Sequence, residues 1–271
     1  MTIRRLLGSR LREIREGAWF TLEAAASALG VPSKRLEGVE AGRLLPTLTQ
    51  IIGLCDLFGY DDVCDRALLL TLGRQARRPN WWDDYADVLD VCEAGYLEAE
   101  QVATEIRSYH LLAVPPLLQT ADYADALLAV RHGDGGHLRR AELLERRQRI
   151  LRGDRLPAVW ALVDEMALRR AVGGPDVMRR QLQHLADLCA LPHVTLQICL
   201  MTDVEHCPPG GPIILLRMPG RLTDVVYLEY AVGGHWPKDV PAHRRLLDRA
   251  AVAAPPPDHT PDLLLRIAKE L

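Results

Sequence analysis

The sequence lacks every short motif that would name a function outright. It has no GxSxG nucleophile elbow and no glycine-rich phosphate loop. Its six cysteines (Cys55, Cys64, Cys92, Cys189, Cys199 and Cys207) form no CxxC pair, so no zinc site is suggested and free thiols in a reducing compartment are expected. No apolar segment approaches the ~20 residues of a membrane span. The opening MTIRRLLGSRLREIREG carries charges every few residues in place of the apolar core of a signal peptide. The expected location is therefore cytoplasmic, with no membrane partner. A basic surplus is missing as well: 33 Lys+Arg face 36 Asp+Glu, a formal net charge of -3. The first 75 residues hold ten basic and nine acidic side chains, about +1, a weak footprint for phosphate contacts. There is no internal repeat and no low-complexity block.

What is present is material for two cores, with 271 residues, 48% of them hydrophobic and 25% charged. Residues 1–75 read as an all-α domain of about five short helices. Leu6, Leu7, Leu11 and Ile14 recur at helical spacing, Thr21 is placed to cap LEAAASALG, and Gly30 and Gly42 end helices. RQARRPN is polar, basic and proline-bearing, and marks the boundary. Residues 81–271 read as an α+β domain with a small sheet. WWDDYADVLDVCEAGYLEAEQVATEIRSYH contains a helical run. AVWALVDE, VTLQICL, GPIILLRM and DVVYLEY are β-rich stretches that suit four strands. A terminal helix follows the proline hinge PPPDHTP.

The order LREIREG, TLEAAASALGV, KRLEGVEAGR resembles the XRE-type helix-turn-helix of bacterial repressors. Leu11, Ala26, Leu29, Gly30, Val31, Leu36, Val39, Glu40 and Gly42 carry the match. The resemblance implies that the helix beginning at Ser33 enters the DNA major groove, with Lys34, Arg35, Glu37 and Arg43 as the DNA-binding candidates. Three positions depart from the pattern. Leu22 stands where the family has a glutamine, and Glu37 and Gly38 stand where it commonly has serine and arginine. A groove-facing carboxylate meets phosphate repulsion. These departures point to a helix-turn-helix kept as scaffold, while an unusual sequence preference is the plainer reading.

The second half is similar to the ligand-binding-like domain that follows this motif in many actinobacterial regulators. The match lies in Trp81-Trp82 with Tyr85, YLEAE, VPPLLQTADYA, ERRQ, VDEMALRR, VTLQICL, His206 and VVYLEY. Pro116 replaces a usual glycine, Leu200 a usual proline and Ile213 a usual aromatic. The resemblance implies three functions. The first is a cofactor-independent cyclase of natural-product biosynthesis, closing rings on a polyketide or polyketide–tetramate chain by dehydration and Michael-type addition. The second is a ligand-responsive DNA-binding repressor, and the third an antitoxin-like partner-binding protein. A homodimer is expected, DNA is a partner only for the second function, and no metal or cofactor is required.

Such cyclisation needs an acid, a base and a group that holds an enolate. Glu165 and Arg169 in VDEMALRR are i, i+4 neighbours on one helix face, and Asp164 lies at a strand end. A surface salt bridge and an N-cap aspartate explain them equally well. His206 on a loop, and Tyr109 with His110 before the proline turn, complete the catalytic candidates. Trp81, Trp82 and Tyr85 offer an aromatic wall or an interdomain staple. Gln119 and Tyr227 join them as candidate substrate contacts.

Overall fold

The computed structural model describes residues 2–132, 137–153, 155–202, 208, 211–230 and 233–271. His206 and Cys207 lie outside the described residues. The chain divides into two compact units, 1–83 with 94–102 and 218–224, and 84–93 with 103–217 and 225–271.

In the first unit five helices run in order: α1 (Ile3–Gly17), α2 (Leu22–Ala28), α3 (Ser33–Glu40), α4 (Leu48–Leu57) and α5 (Val63–Gln75). Local chemistry sets their starts. Thr2, Thr21 and Asp62 each accept a first-turn N–H, and Thr47 with Gln50 forms a reciprocal capping box. Leu7, Leu11 and Ile14 of α1 pack with Ala25, Ala26, Leu36, Val39, Ile51, Leu54 and Leu69 into one core. Helix α1 approaches α3 backbone to backbone at Gly8, where an added Cβ would run into the carbonyls of Val39 and Glu40. We expect Gly8→Ala to destabilise this unit by roughly 1–3 kcal/mol, read by chemical denaturation. A change under half a kcal/mol would mean that α1 and α3 are not tightly apposed.

Two further segments pack as part of this unit. Glu98, on α6 (Val91–Val102), accepts a hydrogen bond from the Ile3 backbone, and burial raises its carboxyl above the usual range. In the 218–224 segment, Thr223 Oγ1 donates to Glu13 at 3.1 Å and Arg221 pairs with Asp62 at 3.5 Å.

The second unit is built on a mixed sheet with strand order β3-β2-β1-β4-β5-β6. Its strands are β1 (Glu105–His110), β2 (Ala158–Asp164), β3 (Val194–Cys199), β4 (Ile213–Arg217), β5 (Val225–Glu229) and β6 (Gly234–His235). The fold is α+β, as expected, but the sheet has six described strands where the sequence indicated four. The central one, β1, follows α6 with only Ala103 and Thr104 between them, so no glycine or proline marks the change of period. Strands β1, β2 and β3 are parallel, and β4 and β5 run antiparallel.

The remaining described helices are α7 (Ala121–His132), α8 (His137–Gln148), α9 (Glu165–Arg169), α10 (Pro175–Leu188), α11 (Val240–Ala253) and α12 (Thr260–Glu270). On one face of the sheet, Tyr109, Leu162, Cys199, Ile213, Leu215 and Val226 pack against Leu247 and Ala250 of α11. Among the described residues no helix is long and apolar enough to cross a membrane.

Candidate functional sites

The exposed side of α3 is set by what the helix buries. Leu36, Gly38 and Val39 turn inward, while Lys34, Arg35 and Glu37 are exposed. The N-cap residue, Pro32, makes no side-chain cap hydrogen bond, so the first turn presents its N–H groups unscreened by a side chain. Glu37 does not stand alone: Arg43 Nη2 reaches its carboxylate at 2.7 Å, with both side chains more than half exposed. The pair sets a cation beside the carboxylate that would otherwise face phosphate alone.

The two other departures from the helix-turn-helix pattern have packing roles. Gly38 lies beneath the turn that follows α3: its carbonyl accepts the N–H of Arg43 at 2.8 Å and of Leu44 at 2.9 Å. A Cβ on Gly38 would meet Leu44 Cδ1 at 2.8 Å. Leu22 packs against the core of the unit. Both positions therefore have packing neighbours within the unit, whatever they contribute to DNA. The far end of α3 is pinned by a bidentate pair, in which Arg15 donates from Nε at 2.6 Å and Nη2 at 2.8 Å to Glu40, and from Nη1 to the Phe20 carbonyl.

In the second unit the structure joins some of the candidate residues and separates others. Tyr109 is fully buried and donates to Asp164 Oδ2 at 3.0 Å. The other oxygen of Asp164 caps α9 by accepting the Met166 N–H at 2.9 Å. Glu165 and Arg169 do form the i, i+4 pair, at 2.6 Å, but Arg169 also reaches Glu270 of α12 at 2.6 Å. Those two carboxylates, Glu270 first, raise the guanidinium above its ordinary value. The second oxygen of Glu165 accepts the Met201 N–H at 3.1 Å. Each of these groups thus has a structural partner, and an enolate would have to compete with Glu165 and Glu270 for Arg169.

Tyr109 and His110 do not share a cavity. Consecutive strand residues point to opposite faces, and Tyr109 belongs to the face covered by α11. His110 lies on the other face with Ser108, is 5% exposed, and its imidazole is pushed down to about 3 by burial, with the positive charge of Arg147 adding to the effect. Tyr227 shares that second face, since Ile214 pairs with both Ser108 and Tyr227. Its ring lies 5.0 Å from that of Trp236, and burial raises its phenol well above the ordinary value.

Trp81 and Trp82 stack edge-on at 5.4 Å within the first unit. Tyr85 belongs to the second unit, beneath the Arg139 guanidinium at 4.6 Å. Gln119 ties the proline turn together, donating to the Val114 carbonyl at 2.7 Å. No sequence signal singles out Ser108, because β1 lies in a stretch whose visible pattern is a helical run. Among the described residues no group of three or more His, Cys, Asp or Glu could hold a metal ion.

Comparison with known proteins finds two matching families along the chain. Residues 6–69 match a Helix-turn-helix domain, and residues 94–266 match a Domain of unknown function (DUF5753). A curated protein described as dolichol-phosphate mannosyltransferase, from Mycosarcoma maydis, is 37% identical over 54 residues, which is 20% of this chain and 18% of that protein. The chain therefore spans under a fifth of that relative, a reach that carries nothing about activity. No solved structure matches. With well over half its length in the second match, the chain belongs to the DUF5753 family and carries a helix-turn-helix domain ahead of that domain.

Proposed function

We propose that the protein is a DNA-binding regulator that reads a major groove with the exposed side of α3 and uses its C-terminal domain to receive a signal. The observation that carries this reading is the packing of Leu22 and Gly38. Two of the three residues that argued against DNA serve the fold of the unit, and the third is paired with Arg43. What remains exposed is a first turn with Lys34 and Arg35, suited to phosphate oxygens, and a Glu37–Arg43 pair. Glu37 in the groove has the cytosine amino group as its favourable base partner. A homodimer on a palindromic site fits such a domain.

The cyclase reading has the buried Tyr109–Asp164 contact in its favour. It asks Asp164 to leave a helix cap and Arg169 to leave two carboxylates, and it is the weaker reading. For a partner-binding protein no specific feature speaks.

Lys34→Ala and Arg35→Ala test the proposal. Each is expected to weaken DNA binding across all sequences and to reduce the slope of log affinity against log salt by about 1. Glu37→Ala should relax preference at one base pair without weakening overall affinity. Gly38→Arg should loosen the turn at Leu44 and gain no affinity. Tighter binding by Gly38→Arg, with unchanged stability, would return Gly38 to the groove and contradict the packing argument.

A further inference from the structure

One residue of the helix-turn-helix unit breaks two rules at once. Trp19 is 94% exposed, and its φ of 60° lies in the left-handed region, where it is the one residue other than glycine among those described. The turn after α1 demands that conformation. The Trp19 N–H returns to the Glu16 carbonyl at 3.0 Å and the Phe20 N–H to that of Arg15 at 3.2 Å, the pair of bonds that closes a helix over a left-handed residue. Glycine fills such a place without strain, and a bulky side chain does not. Burial offers no compensation, since almost none of the ring leaves water. The fold of the unit therefore has no use for the indole.

Arg15 fixes where that turn lies. One guanidinium holds Glu40, the last residue of α3, with Nε and Nη2, and the Phe20 carbonyl with Nη1. The turn carrying Trp19 thus sits at the far end of α3. Glu40 is an i, i+3 neighbour of the exposed Glu37, so the turn borders the exposed side of the helix. With 8 residues α3 is about 12 Å long, and the major groove is ~12 Å wide. A helix of that length crossing the groove has a sugar–phosphate strand at each end. Lys34 and Arg35 serve the strand at the first turn, and Trp19 lies at the end where the opposite strand runs. Residues 16–23 contain no cation, and Glu16 is taken up by Arg12 at 2.7 Å. An indole brings a neutral N–H donor and an apolar plate, which suit a phosphate oxygen and the adjoining sugar.

We propose that Trp19 is a second anchor on DNA, its indole N–H donating to a backbone phosphate and its ring lying on the neighbouring sugar, across the groove from Lys34 and Arg35. The proposal rests on the DNA-binding reading and adds to it a contact that carries no charge.

The test uses the full chain and the duplex upstream of its own gene. Trp19→Gly removes the indole and suits the left-handed turn. It should unfold at the same or a higher denaturant concentration, yet bind the duplex about tenfold or more weakly. Because no cation is removed, its slope of log affinity against log salt should match the parent's, unlike those of Lys34→Ala and Arg35→Ala. Trp19→Phe, which keeps a plate without the donor, should fall between. Three results would overturn the anchor: Trp19→Gly binding as tightly as the parent, Trp19→Gly unfolding at clearly lower denaturant as a packed ring would require, or a loss of binding that accompanies conversion of a dimer to a monomer in sedimentation. The last would make Trp19 a contact between copies. A parent that binds this duplex no better than unrelated DNA ends the DNA-binding reading and the anchor together, whereas a binding parent with an unaffected variant removes Trp19 alone.

Discussion

Glu40→Ala is expected to lower the stability of the helix-turn-helix unit by about 3–5 kcal/mol. Glu40 and Arg15 have side chains 7% and 9% exposed, so both charges have largely left water, and Glu40 is the principal ionic partner of Arg15. Their bidentate geometry, at 2.6 and 2.8 Å, is the strong form of the interaction. The hydrogen bond to Glu40 is also the leading reason why the Arg15 guanidinium is held above its ordinary value. Alanine at position 40 leaves that guanidinium buried with the Phe20 carbonyl and a long contact to Glu16 at 3.5 Å. The loss should appear as a lower denaturant midpoint and, because the pair joins the end of α1 to the end of α3, as a loss of DNA binding. Replacing both partners by apolar residues, Arg15→Met with Glu40→Leu, should recover most of the stability, since no orphaned charge remains. A single variant within one kcal/mol of the parent would mean that the pair is solvated in solution.

The second large effect is an acid destabilisation traceable to His110. Its folded value of about 3 lies below the ordinary 6.5 because burial, and then Arg147, disfavour the charged ring. Below pH 6.5 the unfolded chain takes up a proton that the folded chain refuses, so the contribution is complete above that pH. It is lost progressively as the pH falls toward 3. At ~1.4 kcal/mol per pH unit the full window amounts to at most about 5 kcal/mol. His110→Leu should therefore flatten the stability profile between pH 6.5 and 3 by several kcal/mol relative to the parent, while leaving neutral stability unchanged or higher. Denaturation at a series of pH values measures this directly. Parallel profiles for the two proteins would show that the imidazole is solvated and protonates in place.

These two residues also illustrate what the sequence could reveal. Glu40 was legible as framework because it falls at helical spacing with Leu36, in a pattern shared with other helix-turn-helix domains. Its partner was not, since Arg15 lies 25 residues away and only tertiary packing brings them together. Gly38 has a neighbour that was hidden for a related reason. Spacing along α3 gives no sign that the following turn folds back so that Leu44 covers it. In the second unit everything depended on period. Without a marked strand, RSYH shows only that Tyr109 and His110 adjoin each other before the proline turn. As strand β1 it separates them and brings Ser108 beside His110 instead. Asp164 at a strand end and the Glu165–Arg169 pair were correctly placed from spacing alone. The engagement of Arg169 with Glu270, 101 residues on, was beyond its reach.

The most direct test of the account is the binding of the full chain to the DNA upstream of its own gene, measured across a salt series against an unrelated duplex of equal length. The account predicts site-specific binding that weakens steeply with salt, and a slope that becomes shallower in Lys34→Ala and Arg35→Ala. Equal, weak binding to both duplexes, unchanged in those variants, would contradict it and leave α3 as scaffold.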